Sequence, residues 1–421
     1  MGIFKDIRDA FKFSETQIIT AKNLTRSPID ATVKELSDNP QKKKIGNTEY
    51  IRFGKYDDVP DTLAALIGKS STHAGIISKK AKLIAGNLKY SGAGATGGGA
   101  KAIAWQVFSD NTGGQNYSLD KVFKRMAYLY YAYGGVGLDI TFKGKGQIVG
   151  IKAVHPRNFR LLLPDSNGVV SQVVIADSFN ASGYGAGIYT GKHRIVPMYS
   201  PDNKEKEQFI YISNPETSNE FYGLPSYIGA SNFIEADYEF GVTIKNTAAN
   251  GFAPRISATF FGRNMSDDAK RIFSERFKKN FMQSDGELVV TSWVRRPEEA
   301  PKIDRLNIDN FDATIKAMSE LNDAKILTAH SVTVPSLFGV VTPSKLGVSG
   351  SELRDGYSIL MVTDILPARK YLLDPLQVLL QHTQFEKIKI DVENMPLTII
   401  ETRGGTNKNG NNQTVKQQNN G

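Results

Sequence analysis

The chain contains no cysteine. That excludes disulfide staples, cysteine–zinc sites and thiol catalysis, and it fits a reducing compartment. No apolar run approaches the roughly 20 residues of a membrane-spanning helix. The opening MGIFKDIRDAFKF lacks the apolar stretch and cleavage site of a secretory signal. Asp6 stands where a myristoylation site needs Ser or Thr. Catalytic patterns are also missing. There is no Gly-x-Ser-x-Gly elbow. The five histidines, His73, His155, His193, His330 and His382, are too far apart in sequence to pair on one helix as metal ligands. Asp267–Asp268 and Glu298–Glu299 are adjacent pairs, and adjacent side chains on a helix diverge, which does not suit shared acid–base work. These absences point to a soluble, intracellular product with no metal site and no membrane contact, and they make a binding or structural role the expectation over an enzyme.

Two glycine-rich stretches mimic nucleotide sites. Gly92, Gly94 and Gly97 match a dinucleotide fingerprint formally, but a helical pattern precedes them and Gly98 and Gly99 extend the run, so it reads as a flexible loop. Gly191-Lys192-His193 lacks both the earlier glycine and the Ser or Thr of a phosphate loop.

What is present suits a folded protein: 421 residues, 40% hydrophobic, enough for two to four domains or one elongated subunit. The net charge is +9, of which Arg403, Lys408 and Lys416 in the acid-free last twenty residues supply +3. So modest an excess is compatible with a nucleic-acid partner without requiring one.

The most informative stretch is 221–254. Gly223-Leu224-Pro225 opens it and Asn250-Gly251 closes it, with Pro254 beyond, the start and stop signals of a helix. Ile234 and Tyr238 are four apart, as are Phe240 and Ile244. A helix over 226–249 would be roughly 36 Å long. A second long helix is predicted at 310–328, where Phe311, Ile315, Met318 and Leu321 repeat at helical spacing. Between them, ISATFF (256–261), an amphipathic helix 266–281 capped by Ser266, GELVVTSW, and a segment near 302–306 read as strand, helix, strand and strand. Ile272, Phe273 and Phe277 form the apolar face of that short helix. Arg263, Lys270, Arg271, Arg276, Lys278, Lys279, Arg295 and Arg296 crowd this unit. They would meet phosphates, an acidic partner or solvent.

Elsewhere, Ile3, Ile7 and Phe11 mark a short amphipathic helix, and 21–48, with its lysine run, reads as an extended arm or loop. Helical pattern covers 61–87 and 118–133, with Ser118 as N-cap. Strands follow over VGLDITF and, as strand, turn, strand, turn, strand, through 143–175, with turns at Gly144, Gly146, Pro156 and 165–168, and another strand at 209–215. Residues 180–200 are Gly- and Tyr-rich loop or strand. The segment 331–350 is apolar but broken by Pro335, Gly339, Pro343, Gly347 and Gly350, which favours contact over solvation. From Ser349-x-x-Glu352, a capping-box pattern, a third long helix runs toward Leu380, with Pro367 expected to kink it. IKIDVE (388–393) is a strand. The tail 401–421 is rich in Asn, Gln and Gly and predicted to be disordered.

Gly146-Gln147-Ile148, then Val154-His155-Pro156, then Tyr222-Gly223-Leu224-Pro225-Ser226 and the long helix ending at Asn250-Gly251 stand in an order that resembles the portal proteins of tailed bacteriophages, of the long-tailed, siphovirus type. The resemblance covers about 110–385; each motif is weak alone and their order carries it. It implies an α+β, elongated subunit: an N-terminal helix and arm (1–50), a mixed α/β wing (51–222), stem helices (223–250 and 307–329), a small α/β clip (251–306), a tunnel-loop region (330–350), a kinked helix with a wing or crown strand (351–400) and the tail. Copies would form a dodecameric ring at one capsid vertex of the virion, assembled in the host bacterial cytoplasm. Expected partners are the large terminase, a head–tail adaptor, the major capsid protein and scaffold, and double-stranded DNA passing non-specifically during packaging and ejection. The terminase supplies ATP hydrolysis, so no cofactor is implied. On this reading Leu337, Phe338, Val340, Val341, Lys345 and Leu346 line the channel. The basic residues of 263–296 meet motor and adaptor, and Ile234, Tyr238, Ile244, Phe311, Ile315 and Met318 belong to the stem. Each fixed cation on a phosphate tightens binding and makes it salt-dependent, so an apolar loop with one lysine suits sliding DNA better than a basic groove. Two other classes stay open: another virion component, such as an adaptor or minor capsid protein, and a DNA-processing enzyme.

Overall fold

In the computed structural model, residues 42–95, 97, 99–144, 146–179, 192–216, 221–249, 256–261, 266–281, 289–294, 311–339 and 350–394 are described. The elements in chain order are strands β1 (Lys42–Ile45) and β2 (Thr48–Ile51), helices α1 (Val59–Lys69) and α2 (Ser71–Ala85), and β3 (Asn87–Ser91). Next come α3 (Ala100–Asn111), α4 (Leu119–Tyr133), β4 (Gly135–Lys143), β5 (Gln147–Val154), β6 (Phe159–Leu161), β7 (Gln172–Ala176), β8 (His193–Pro197) and β9 (Glu207–Ser213). Then follow α5 (Ser231–Ala249), β10 (Ile256–Phe261), α6 (Asp267–Phe281), β11 (Val289–Val294) and α7 (Phe311–Ala329). The described part ends with α8 (Gly350–Leu360), α9 (Leu366–Gln381) and β12 (Lys389–Glu393). The architecture is mixed α/β. None of the described helices is long and apolar enough to cross a membrane.

The chain divides into two compact units. The first comprises residues 1–76, 177–192 and 215–330. It holds the hairpin β1–β2, α1, the long helices α5 and α7, and the excursion β10–α6–β11 between them. β10 and β11 pair in parallel, Ile256 opposite Val289 through Phe261 opposite Val294, with α6 as the crossover. Phe260, Phe273 and Trp293 pack as one aromatic cluster, ring centroids 5.0–5.6 Å apart. Ser266 caps α6 through its Oγ, which accepts from the Ala269 N–H at 3.3 Å. Of the extended arm or loop expected over 21–48, residues 42–48 are described and form most of this hairpin, Ile45, Tyr50 and Ile51 burying while Lys42 and Lys44 stay exposed and Lys43 pairs with buried Asp57 at 3.5 Å.

The second unit comprises 77–176, 193–214 and 331–421. Its centre is the helix α4 feeding the antiparallel sheet β5–β4–β9. Every residue from Leu119 to Tyr133 on the inner face of α4 is buried. Ser118 caps the helix, its Oγ accepting from the Lys121 N–H at 3.4 Å, and Gly134 ends it at φ +74°. β4 is buried from Gly135 to Ile140, as the central strand of its sheet, with Asp139 inside that run paired to Arg194. A second antiparallel sheet, β6–β7–β8, contributes Phe159, Val173 and Val196 to a small core with Phe209 of β9. β3 and β12 form a separate antiparallel ribbon.

Three expectations are corrected. The helix over 61–87 is two helices broken at Ser70, whose backbone is extended. Helix α3 lies where no element was expected, since its apolar residues fall on two opposite faces and blur the period. The irregularity near Pro367 is a π turn at Met361–Ile365, and a second proline, Pro375, lies inside α9. Pro367 has no N–H to return to the preceding turn, and widening that turn absorbs the mismatch. The long helix at 226–249 opens as a 3₁₀ turn, Ser226–Ala230, before becoming α-helical at Ser231. The N-terminal helix, Ser349 of the capping box, the strand near 302–306 and the tail lie outside the described residues.

Candidate functional site

The two long helices are anchored at one end, and the described apolar side chains farther along them are exposed. Tyr222, just before the turn, stacks on Phe53 with centroids 4.3 Å apart and donates its hydroxyl to the Ile51 carbonyl at 2.8 Å. Tyr227, inside the 3₁₀ turn, is buried against His73 and His330. From there α5 and α7 run together. Ile234 is fully buried, Asn322 donates to the Phe233 carbonyl at 2.9 Å, and Ile326 and Leu327 complete the contact. Lys69 of α1 clamps Glu235 at 3.3 Å. Farther out the apolar periodicity persists while burial stops. Tyr238, Ile244, Met318 and Leu321 are 44–62% exposed. Of the six residues singled out on these helices, Ile234 alone is seen in this chain's core. Tyr238, Ile244 and Met318 face solvent, and the side chains of Phe311 and Ile315 lie outside the described residues.

Between the helices the charge is acidic. Asp323 accepts from the Thr72 hydroxyl at 3.3 Å. Burial, and then the nearby Asp237, push its carboxyl above the usual range. Exposed Lys316 and Lys325 of α7 accompany these acids along the same stretch.

The basic cluster of the strand–helix–strand excursion is only partly visible. Lys270 pairs with Asp267 at 3.1 Å, and Arg271 with Glu275 at 3.4 Å and Asp268 at 4.0 Å. These are exposed pairs within one helix, worth ~0.3–0.5 kcal/mol each. They offset Lys270 and Arg271 with acids of the same helix. Ile272 and Phe273 remain nearly half exposed. Arg263, Arg295, Arg296 and the side chains of Arg276, Lys278, Lys279 and Phe277 lie outside the described residues.

The apolar segment after α7 is held down at its start. Val332, Val334 and Phe338 are buried. Pro335–Phe338 makes a 3₁₀ turn that ends at Gly339, φ +72°. Lys79 of α2 donates its ammonium to the Phe338 carbonyl. Val334 sits over Gly356 of α8 so closely that a Cβ there would lie 2.2 Å from Val334 Cγ2. Phe338 is therefore an anchor and is not available to line a channel. Leu337 is half-buried. Val340, Val341, Lys345 and Leu346 lie outside the described residues.

Among the histidines, two that sequence reasoning kept apart meet. His73 Nδ1 and His330 Nε2 are 2.8 Å apart and both rings are buried. Burial lowers His73 to about 3, so its imidazole is neutral near pH 7, and one of the two facing nitrogens donates while the other accepts. They are separated by 257 residues, and only the fold joins them. Their neighbours carry no further ligand: among the described residues no group of three or more His, Asp or Glu could hold a metal ion. His155 caps a 3₁₀ turn by accepting from the Arg157 N–H at 3.1 Å. A hollow of about 680 Å³ beside the β4–β5 turn is lined by Phe142, Tyr199, Asn203, Lys206 and His382, with no convergent catalytic groups.

No known family model and no curated protein matches the chain. Solved structures do. The chain is similar to a chain in the neck of an empty gene transfer agent particle, computed with C6 symmetry (TM-score 0.54, 11% identity, 89% of this chain and 92% of that one). It is similar as well to a chain in the neck of the native particle, computed with C12 symmetry (TM-score 0.52, 12% identity, again 89% and 92%). A looser likeness, at TM-score 0.40 and 11% identity, links 80% of this chain to 96% of an HK97-family phage portal protein from Corynebacterium diphtheriae. The chain thus has the fold of these neck chains over most of its length.

Proposed function

We propose that this chain is the subunit of a phage-type portal: a ring at one capsid vertex through which DNA is packaged and ejected. The observation that carries the reading is a conjunction. A strand–helix–strand unit stands between two long helices, α5 and α7, inside a fold shared with neck chains over 89% of the sequence. The order of short motifs that resembles portal proteins points the same way. On this reading α5 and α7 are the stem, β10–α6–β11 the clip, and the second unit supplies most of the wing.

The physical logic supports that assignment. Long helices whose apolar residues are exposed beyond the anchored end need covering, and neighbouring copies would supply it in a ring closed by head-to-tail contacts. The segment 340–348, anchored through Phe338 and Gly339, becomes the tunnel loop. Ring copy number would be twelve, by analogy with the C12 neck. The large terminase and an adaptor would dock on the clip, and the major capsid protein and scaffold would hold the wing. Catalysis belongs to the motor, leaving this chain a structural role without cofactor.

The neck likeness alone also suits an adaptor ring stacked on a portal. Negative-stain microscopy of the full-length protein mixed with large terminase separates the two. The portal reading expects rings with a duplex-wide central hole that bind the motor at one end. Rings that ignore the motor and instead cap a separate portal would assign the chain to the adaptor.

A further inference from the structure

Helix α3 is apolar on both sides. Ala102, Trp105 and Phe108 face inward, where Trp105 meets the rings of Tyr90 and Phe385, each 5.1 Å away. The opposite face carries Ala100, Ile103, Ala104 and Val107, an i, i+3, i+4, i+7 stripe open to solvent, with Ile103 59% and Val107 61% exposed. A helix that is apolar all round belongs in an interior, so the outer stripe lacks its partner.

A second bare stripe lies in the same unit. Ile359, Val362 and Leu366, spaced three and four, follow one face of α8 through the π turn into α9 and are 43–67% exposed. The two stripes are distinct places. The inner face of α3 packs against Phe385, beyond the C-terminal end of α9, whereas Leu366 begins α9, fifteen residues and roughly 22 Å earlier than Gln381. Both stripes span seven residues, about two helical turns.

Charge selects how they fit. The second stripe is preceded by exposed Asp355 and followed by exposed Lys370, each one helical turn away on the same face. On α3, the N-terminus is capped by Gly99 without a side-chain hydrogen bond, leaving its positive dipole end open, and Asp110 lies just past Val107. Laid parallel, the two stripes put Asp355 against the open N-terminus of α3 and Lys370 against Asp110. Laid antiparallel, they put Asp355 against Asp110. Lys370 pairs within its helix with Asp374 at 2.7 Å and Asp110 accepts from Gln106 at 2.9 Å, both exposed contacts that can be shared across an interface.

We infer that the α3 stripe of one copy docks in parallel on the Ile359–Val362–Leu366 stripe of the next copy. Two different patches that fit each other make a heterologous contact, the kind that closes a ring. This rests on the ring reading above and specifies which faces meet.

The native chain has no cysteine, so cross-linking is clean. A full-length double variant, Ile103→Cys with Val362→Cys, should give under oxidant a covalent ladder of two, three and more copies. A mixture of one chain carrying only Ile103→Cys and another carrying only Val362→Cys should stop at pairs. In the otherwise native chain, Val362→Lys should raise the concentration needed for assembly at least about tenfold by placing a charge in an apolar contact. Rings that form normally while the double variant yields no ladder overturn the interface and leave the ring reading standing. A disulfide closed within one chain overturns it too, as does a ladder that appears only after residues 1–41 are removed, since then this chain's own N-terminal segment covers the stripe. A native chain that stays monomeric at every concentration overturns both.

Discussion

Replacing Gly356 by alanine should destabilise this protein, against the usual rule. In an ordinary helix interior, Gly→Ala gains about 1 kcal/mol, because glycine loses more backbone freedom on folding. Gly356 is buried in α8, and a Cβ built there meets Val334 Cγ2 at 2.2 Å and Val334 Cβ at 3.0 Å. Valine is stiff at χ1, so its methyl cannot swing aside cheaply. Overpacking costs about 1–3 kcal/mol, and an overlap this deep belongs in the upper half of that range. The net expectation is about 1–2 kcal/mol of destabilisation. Most of the overlap should go when Val334 is shortened to alanine, because the Cγ2 methyl at 2.2 Å is removed and the tight Cβ contact at 3.0 Å is left. A double-mutant cycle over Gly356→Ala and Val334→Ala, read by urea or thermal unfolding, should show a favourable coupling of about 1–2 kcal/mol. Additive effects, or a stabilising Gly356→Ala alone, would mean that the 332–338 segment does not sit on α8.

Acid should loosen the junction of the long helices. His73 has its folded-state value depressed to about 3 by burial, so the unfolded chain binds the proton first. Its contribution is whole above about pH 6.5 and is lost as pH falls toward 3, at up to ~1.4 kcal/mol per pH unit. His73→Gln should flatten the fall in melting temperature between pH 7 and 5, and an unchanged slope would show that His73 is not held neutral. Asp364→Ala should cost about 3 kcal/mol by stripping charge compensation from fully buried Lys80, while adding Lys80→Met should recover most of that loss. Equal unfolding midpoints for the single and double variants would refute it. Deleting 340–348, which leaves the Phe338 anchor in place, should spare ring assembly but impair DNA packaging or retention. Rings lost on that deletion would make the segment an assembly contact.

The elements that could be read from the sequence are those with local signals. α4 carries its own N-cap at Ser118 and its stop at Gly134, and both act as their chemistry dictates. β10, α6 and β11 were legible from their periods and from Ser266. α5 was legible from Pro225 and the apolar spacing, although the first turn tightened to 3₁₀. What escaped was non-local. α3 hid because Trp105 and Phe108 on one face and Ile103 and Val107 on the other cancel the helical period. The His73–His330 contact has no local trace at all. Phe338 looked like a channel residue because it is apolar in a broken loop. Only the Lys79 contact to its carbonyl and the burial of its ring reveal an anchor. The cations of the basic cluster and the neighbouring Asp267 and Asp268 were legible as residues; which cation meets which acid follows from the helical spacing of three and four that brings Lys270 to Asp267 and Arg271 to Glu275.

The most direct test is a cryo-electron microscopy map of the assembled full-length protein. The account predicts a closed ring whose axial channel is walled by α5 and α7, with β10–α6–β11 together at one end of it. A ring with those helices on its outer rim, or an assembly without a duplex-wide axial hole, would contradict it.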